Sequence, residues 1–191
     1  MLTNKPEIKV ESSTNKQENV SSSHDISIWL DTYNDIFSDF DPRPYSNRTL
    51  SDDFLIQVKK VSHEKKGLVK ELKLSLPNNV RDTEQESVIV KKLHKHFKKN
   101  HQHYSQTFKS LRLKGLLFAL IGVIAMLTAS YVSIQRSDSF LMHAILVIFE
   151  PAGWFLVWWG LETIFYTSKA EKKELEFYTK LSKSKISFYS I

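Results

Sequence analysis

The sequence predicts a small α/β (α+β) cytosolic domain joined to a two-helix transmembrane hairpin. Three observations predict it. Two apolar runs of bilayer length, 113–134 and 140–166, stand five residues apart. The stretch 91–114, which leads into them, carries eight Lys or Arg and no acid. Short runs near 26–30, 69–76 and 186–191 alternate apolar and polar residues, the pattern of half-buried strands.

In chain order, residues 1–24 are polar and rich in Ser, Asn, Lys and Glu, the composition of a disordered tail. They contain no apolar run of signal-peptide length, which argues against a secretory leader. The module then occupies 25–112. Ile26, Ile28 and Leu30 alternate as in a strand, although Ile26, Trp29, Tyr33 and Phe37 also fit one helical face. SDFDPRPYSNR at 38–48 is turn chemistry with two prolines. Ser51 is placed to cap a helix with Asp52 and Asp53 in its first turn, and Gly67 to end it. Leu72, Leu74 and Leu76 then alternate with Lys73 and Ser75 as a second strand, which Pro77 ends.

A long helix is expected from Asp82, with Val90, Leu93, Phe97, Tyr104 and Leu111 on one face. It should run unbroken into the first span. Gly115–Ile134 is 20 residues without a charge, about 30 Å of helix, the thickness of a bilayer's hydrocarbon core. Residues 135–139 form a turn, and 140–166 is long enough to return. Lysines flank both spans on the module's side, whereas the turn has only Arg136. The positive-inside bias therefore places both termini in the cytosol of an inner membrane. Trp158, Trp159 and Tyr166 would form the inner aromatic belt and Tyr131 would mark the outer one. The remainder, 167–191, reads as a helix over Ser168–Ser182 followed by a strand. A lone strand is not stable, so this one should join the strands at the other end of the chain and bury Phe188.

The spans carry two groups of candidate residues. Gly115 and Gly122, then Gly153 and Gly160, are each seven apart and so share a helix face. In an antiparallel hairpin Gly122 would meet Gly153 and Gly115 would meet Gly160, and small residues let helices approach closely in lipid. Glu150 falls near mid-membrane, with His143 on the same face about 10 Å away. An ionisable group there is a functional hypothesis by default. The competing reading is structural: Pro151 leaves a carbonyl unbonded, and a protonated Glu150 would donate to a carbonyl freed there.

The cations Lys91, Lys92, Lys95, Lys98, Lys99, Lys109, Arg112 and Lys114 are candidates for anionic lipid head groups, the competing reading being a solvated face that sets topology. Nucleic acid is disfavoured as a partner; a protein partner or a second copy of the chain stays open. His94, His96, His101 and His103 interleave with these cations but are never three or four apart, so they form no helical metal pair. They would make the helix more cationic below about pH 6.5.

Signatures of chemistry are sparse. With no cysteine there is no thiol nucleophile, disulfide or zinc ribbon. Outside the spans Gly67 is the one glycine, which excludes a phosphate-cradling loop. No cofactor and no resident metal is expected. Asp39 and Asp41, with Asp35, have the residue types for a divalent cation, and Arg43 for an anion, but such spacing is common in Asp-Pro turns. DIFSDFDPRPY at 35–45 and EPAGWFLVWWGLE at 150–162 resemble segments of uncharacterised two-pass membrane proteins of bacteria and archaea. The resemblance, from about residue 25 to the end, implies the architecture and no activity. Three functions follow: a sensory or interaction module held at the bilayer, an oligomeric channel or transport accessory using Glu150, and a membrane-bound enzyme using Asp39, Asp41 or Arg43.

Overall fold

The computed structural model describes residues 25–64, 67, 69–134 and 140–190. The N-terminal tail at 1–24 and the turn at 135–139, both read from the sequence, lie outside them. Strand β1 (Asp25–Trp29) leads through a 3₁₀ turn and the 38–49 loop to helix α1 (Asp52–Glu64). Strand β2 (Glu71–Leu76) follows, and then α2 (Thr83–Ile134), α3 (Phe140–Glu162), a π turn (Thr163–Thr167), α4 (Ser168–Lys183) and β3 (Lys185–Ser190).

The three strands form one parallel sheet in the order β1-β2-β3. Ile26, Leu72 and Ile186 lie in one cross-strand row, and Ile28, Leu74 and Phe188 in the next. Parallel neighbours require long crossovers. Helix α1 supplies the first. The second is the helical hairpin itself, because β2 and β3 are joined through α2, α3 and α4.

Local chemistry explains the element boundaries. Thr32 and Asp35 make a reciprocal capping box at the 3₁₀ turn, with the Asn34 N–H donating to the Thr32 hydroxyl at 3.2 Å and the Thr32 N–H to Asp35 at 3.0 Å. Ser51 accepts from the Phe54 N–H at 3.5 Å, and Asp52 and Asp53 face the positive end of α1. Gly67 sits at φ +108°, open only to a residue without a Cβ. At the start of α2, Asp82 accepts from the N–H groups of Glu84 and Gln85.

One face of the sheet is covered and the other is not. The core lies between the sheet and α1, α2 and α4, and fully buries Ile26, Leu72, Leu74, Leu76, Val58 and Leu181, together with Ile89, Leu93 and Phe97 of α2. Each such side chain contributes about 1.5–3 kcal/mol. One sequence expectation is extended here and one corrected. On α2 Val90 packs against the core as expected, and Ile89 beside it, not named from the sequence, is fully buried, so the buried stripe steps 86, 89, 93, 97. In β3 Ile186 is buried and Phe188 only half-buried, its ring edge-on to Tyr33 at 5.7 Å.

The opposite sheet face carries Ser27, Trp29, Glu71, Lys73, Ser75, Lys185, Ser187 and Tyr189, none of them buried. Lys73 pairs with Asp25 at 2.8 Å, and the Tyr189 hydroxyl donates to Glu71 at 3.0 Å. Hydrogen bonds from Ser187 and Tyr189, with Lys185 nearby, hold the Glu71 carboxyl below its ordinary pKa.

Helix α2 is 52 residues long, about 78 Å without a break. Its apolar half packs antiparallel to α3. The two helices are long and apolar enough to cross a membrane, and of their most apolar 18-residue windows only 11% and 6% are buried. A core helix of a soluble protein would be mostly buried, whereas these surfaces are not covered among the described residues.

Candidate functional site at the junction of module and hairpin

The hairpin is closed by its glycines. Gly122 faces Gly153 and Gly115 faces Gly160: a Cβ at Gly122 would stand 2.5 Å from the Gly153 carbonyl oxygen, and one at Gly115 2.8 Å from that of Gly160. Phe118 and Trp159 add a ring contact at 4.6 Å. At the level of Gly115 the second helix stops being α-helical. Thr163 and Ile164 of the π turn lie directly against Gly115. Two hydroxyls bond into that turn and its approach: Thr163 to the Trp159 carbonyl at 2.9 Å, and Ser168 to the Ile164 carbonyl. The sequence reading carried one helix through 140–166. Nothing in the side-chain pattern marks the insertion, because Thr, Ile, Phe and Tyr suit either geometry.

Beside this turn a groove of about 640 Å³ opens. Its α2 wall is Ser105, Phe108, Lys109, Arg112, Leu113 and Leu116, and Ile164 and Leu175 close the other side. The α2 residues recur at three and four, a single helical stripe. Sequence reasoning singled out Lys109 and Arg112 for their charge but missed the apolar floor between them.

Just below the groove, α2 and α4 are locked by rings. Tyr104 stacks on Tyr178 at 5.2 Å, and His96 and Phe97 pack on the same Tyr178. Burial pushes the Tyr178 hydroxyl up to about 12, with Tyr104 and Glu174 adding to the rise. Burial also lowers the pKa of His96, helped by Lys92 and Lys99, so it becomes cationic less readily than the sequence suggested. Lys59 of α1 pairs with Glu174 of α4.

Of the eight cations at 91–114, all but the half-buried Lys92 are exposed. Lys91, Lys95, Lys98 and Lys109 lie on the side of α2 opposite Leu93 and Phe97, as their helical spacing requires. Among the described residues none of the eight is in an ion pair, and Arg112 lies 5.7 Å over the Phe108 ring.

Glu150 is exposed on the hairpin between two grooves. One, of about 360 Å³, is lined by Ser130, Ser133 and Leu146 among others; the second, of about 500 Å³, by Met126, Val147 and Trp154. Glu150 accepts no hydrogen bond among the described residues. His143, seven residues earlier, is exposed on the same face.

The acidic turn is already satisfied. Arg43 grips Asp41 with two hydrogen bonds of 2.8 and 2.7 Å, and the Thr49 N–H donates to Asp41 at 2.7 Å. These bonds, led by that from Arg43, hold the Asp41 carboxyl well below the usual carboxylate range. Asp35 is spent on its capping box. Among the described residues no cluster of three or more ligating side chains is placed to hold a metal. The Asp35–Asp39–Asp41 cation site is therefore not assembled, and Arg43 is a structural partner.

A network that sequence reasoning missed joins the C-terminal ends of the strands. Arg81 pairs with the buried Glu86 at 2.8 Å and reaches the Ser190 hydroxyl at 2.8 Å. Tyr33 donates to Glu86 at 3.1 Å. Arg81 and Glu86 are five apart across a helix start, a spacing that carries no signal of its own. Comparison of the chain with family models, with curated proteins and with solved structures returns no match, so the resemblance of 35–45 and 150–162 rests on those residues alone.

Proposed function

We propose that the chain is an integral membrane protein whose hairpin spans the inner membrane and whose sheet module serves as an interaction or sensory unit on the cytosolic surface. The observation that carries this reading is the exposure of the hairpin's apolar surface beside a module whose core is complete without it. Leu116, Leu120, Ile124 and Leu127 on α2, and Val147, Trp154, Phe155 and Trp158 on α3, are each more than half exposed. In water such a surface would drive aggregation; in lipid it is the solvated state. The eight cations at the module's end of the hairpin, none in an ion pair among the described residues, favour a cytosolic module over anionic lipid. Parallel sheets are ordinarily covered on both faces, so the open face around Trp29 and Tyr189 supports a protein partner.

Membrane fractionation after alkaline washing tests insertion. Single cysteines at Lys183 and Phe140, both exposed, test orientation on a chain with no native cysteine. An impermeant maleimide should label Phe140→Cys in intact cells and spare Lys183→Cys. Recovery in the soluble fraction, or the reverse labelling, would refute the proposal.

A second reading is favoured by Glu150. A carboxyl exposed at mid-hairpin is costly in lipid, about 2.5–3.5 kcal/mol for an acidic residue on the insertion scale. Facing a second copy or a polar path would relieve that cost. Glu150→Gln separates the two: an oligomer or transport accessory loses assembly or activity, and a monomeric anchor does not.

A further inference from the structure

We propose that the groove beside the π turn is a binding site for one phospholipid with an anionic head group. The inference rests on the membrane reading above and deepens it, from a diffuse basic surface to a defined site. Three features converge there. Lys109 and Arg112 stand on one wall, with no carboxylate paired to either among the described residues. The floor between them is apolar, made by Phe108, Leu113, Leu116 and Ile164. The groove lies beside Gly115, where the charge-free run begins, so its polar mouth and apolar floor follow the order of a lipid from phosphate to acyl chain.

Charge complementarity selects the occupant. A zwitterionic lipid brings its own cation to the mouth and would leave it beside Lys109 and Arg112. A soluble phosphate would satisfy the cations but not fill an apolar groove of about 640 Å³. A protein helix would need a second element alongside α2 at a place where Arg112 already covers the Phe108 ring. The π turn supports a binding role independently. Such insertions recur at functional sites, and here the insertion contributes Ile164 to the groove.

The test uses the full chain in detergent, analysed by native mass spectrometry after titration with phosphatidylglycerol or phosphatidylcholine. The wild type should retain one phosphatidylglycerol per chain and markedly less phosphatidylcholine. Lys109→Gln with Arg112→Gln should weaken retention by about 30-fold, since each cation near a head group is worth about 1 kcal/mol. Leu175→Trp should fill the groove and abolish retention with all charges kept. Lys91→Gln with Lys95→Gln removes the same charge farther up the helix and should change retention by less than about threefold. Equal losses from the two double variants, or wild-type retention by Leu175→Trp, would overturn the site and leave membrane insertion standing. Displacement by glycerol phosphate as effective as by the intact lipid would also overturn it. Membrane fractionation of the wild type reads the underlying proposal separately.

Discussion

Alanine at Gly122 probes the hairpin at its tightest point. The new Cβ would lie 2.5 Å from the Gly153 carbonyl oxygen and 2.8 Å from both the backbone nitrogen and Cγ2 of Val157. Ordinary contact begins at 3.4 Å, so the backbones must part by 3.4 − 2.5 = 0.9 Å. No rotamer change helps, because two of the three neighbours are backbone. Overpacking of this kind costs about 1–3 kcal/mol, offset by up to about 1 kcal/mol from replacing glycine by alanine in a helix. A net loss of about 1–2 kcal/mol is expected. Alanine at Gly153 is the milder case. Its Cβ would stand 2.6 Å from the Met126 Cγ and 3.0 and 3.2 Å from the Gly122 carbonyl oxygen and the Met126 nitrogen, so it also crowds the contact but asks less of the backbone. It should cost less than alanine at Gly122. The double variant should be less than additive, since one clash already opens the contact. Nitroxides on cysteines at the exposed Leu120 and Phe155 would read the separation, and denaturation from detergent micelles the stability. Equal effects of the two alanines, or an unchanged distance in Gly122→Ala, would refute the packing argument.

Further outcomes follow from the module. Deleting 184–191 should cost at least the 2–5 kcal/mol typical of truncating a buried Ile, here Ile186, and should strip amide-exchange protection from Leu72–Leu76; unchanged protection would contradict the pairing. Arg81→Met strands the buried Glu86 and should cost about 3–5 kcal/mol, much of it recovered by adding Glu86→Gln, as chemical denaturation would show. Burial lowers the pKa of His96 in the fold from the ordinary 6.5, with Lys92 and Lys99 adding to the shift. Below pH 6.5 the unfolded chain therefore binds the proton more readily. Stability should be flat above that pH, fall as pH drops through it, and level off under the folded pKa. His96→Gln should flatten this slope in thermal melts.

What was legible in the sequence followed from periodicity. Leu72, Leu74 and Leu76 declare a strand because each inward side chain reports the same buried face. The unbroken α2 was legible because no Gly or Pro interrupts 83–114, and the facing glycines because an antiparallel pair fixes the sum of opposed residue numbers. Ile89 was passed over because it and Val90 are adjacent and both β-branched, and both turn out to meet the core. The π turn, the Arg81–Glu86–Tyr33 network and the groove were hidden for another reason. Each joins residues that are distant in sequence or depends on one extra residue in a turn, and neither leaves a periodic trace. The acidic turn was legible in part: DFDPR has the composition of a cation site but also of an ordinary Asp-Pro turn, and Arg43 and Thr49 bond Asp41 as in the latter.

The topology makes the hairpin part of the sheet's own connection. Because β2 and β3 are parallel, the chain cannot close the sheet without a crossover, and the crossover is the hairpin. The two legs of that crossover differ mechanically. Helix α2 is continuous from the module through the apolar segment, so it moves as one rod. The other leg is interrupted by the π turn beside Gly115, the one point where α3 can tilt without carrying α4 rigidly with it. Helix α4 is instead held to α2, by the stack of Tyr104 on Tyr178, and leads directly into β3. The groove with Lys109 and Arg112 is bounded by this same turn, so an occupant there would set how far that tilt can go.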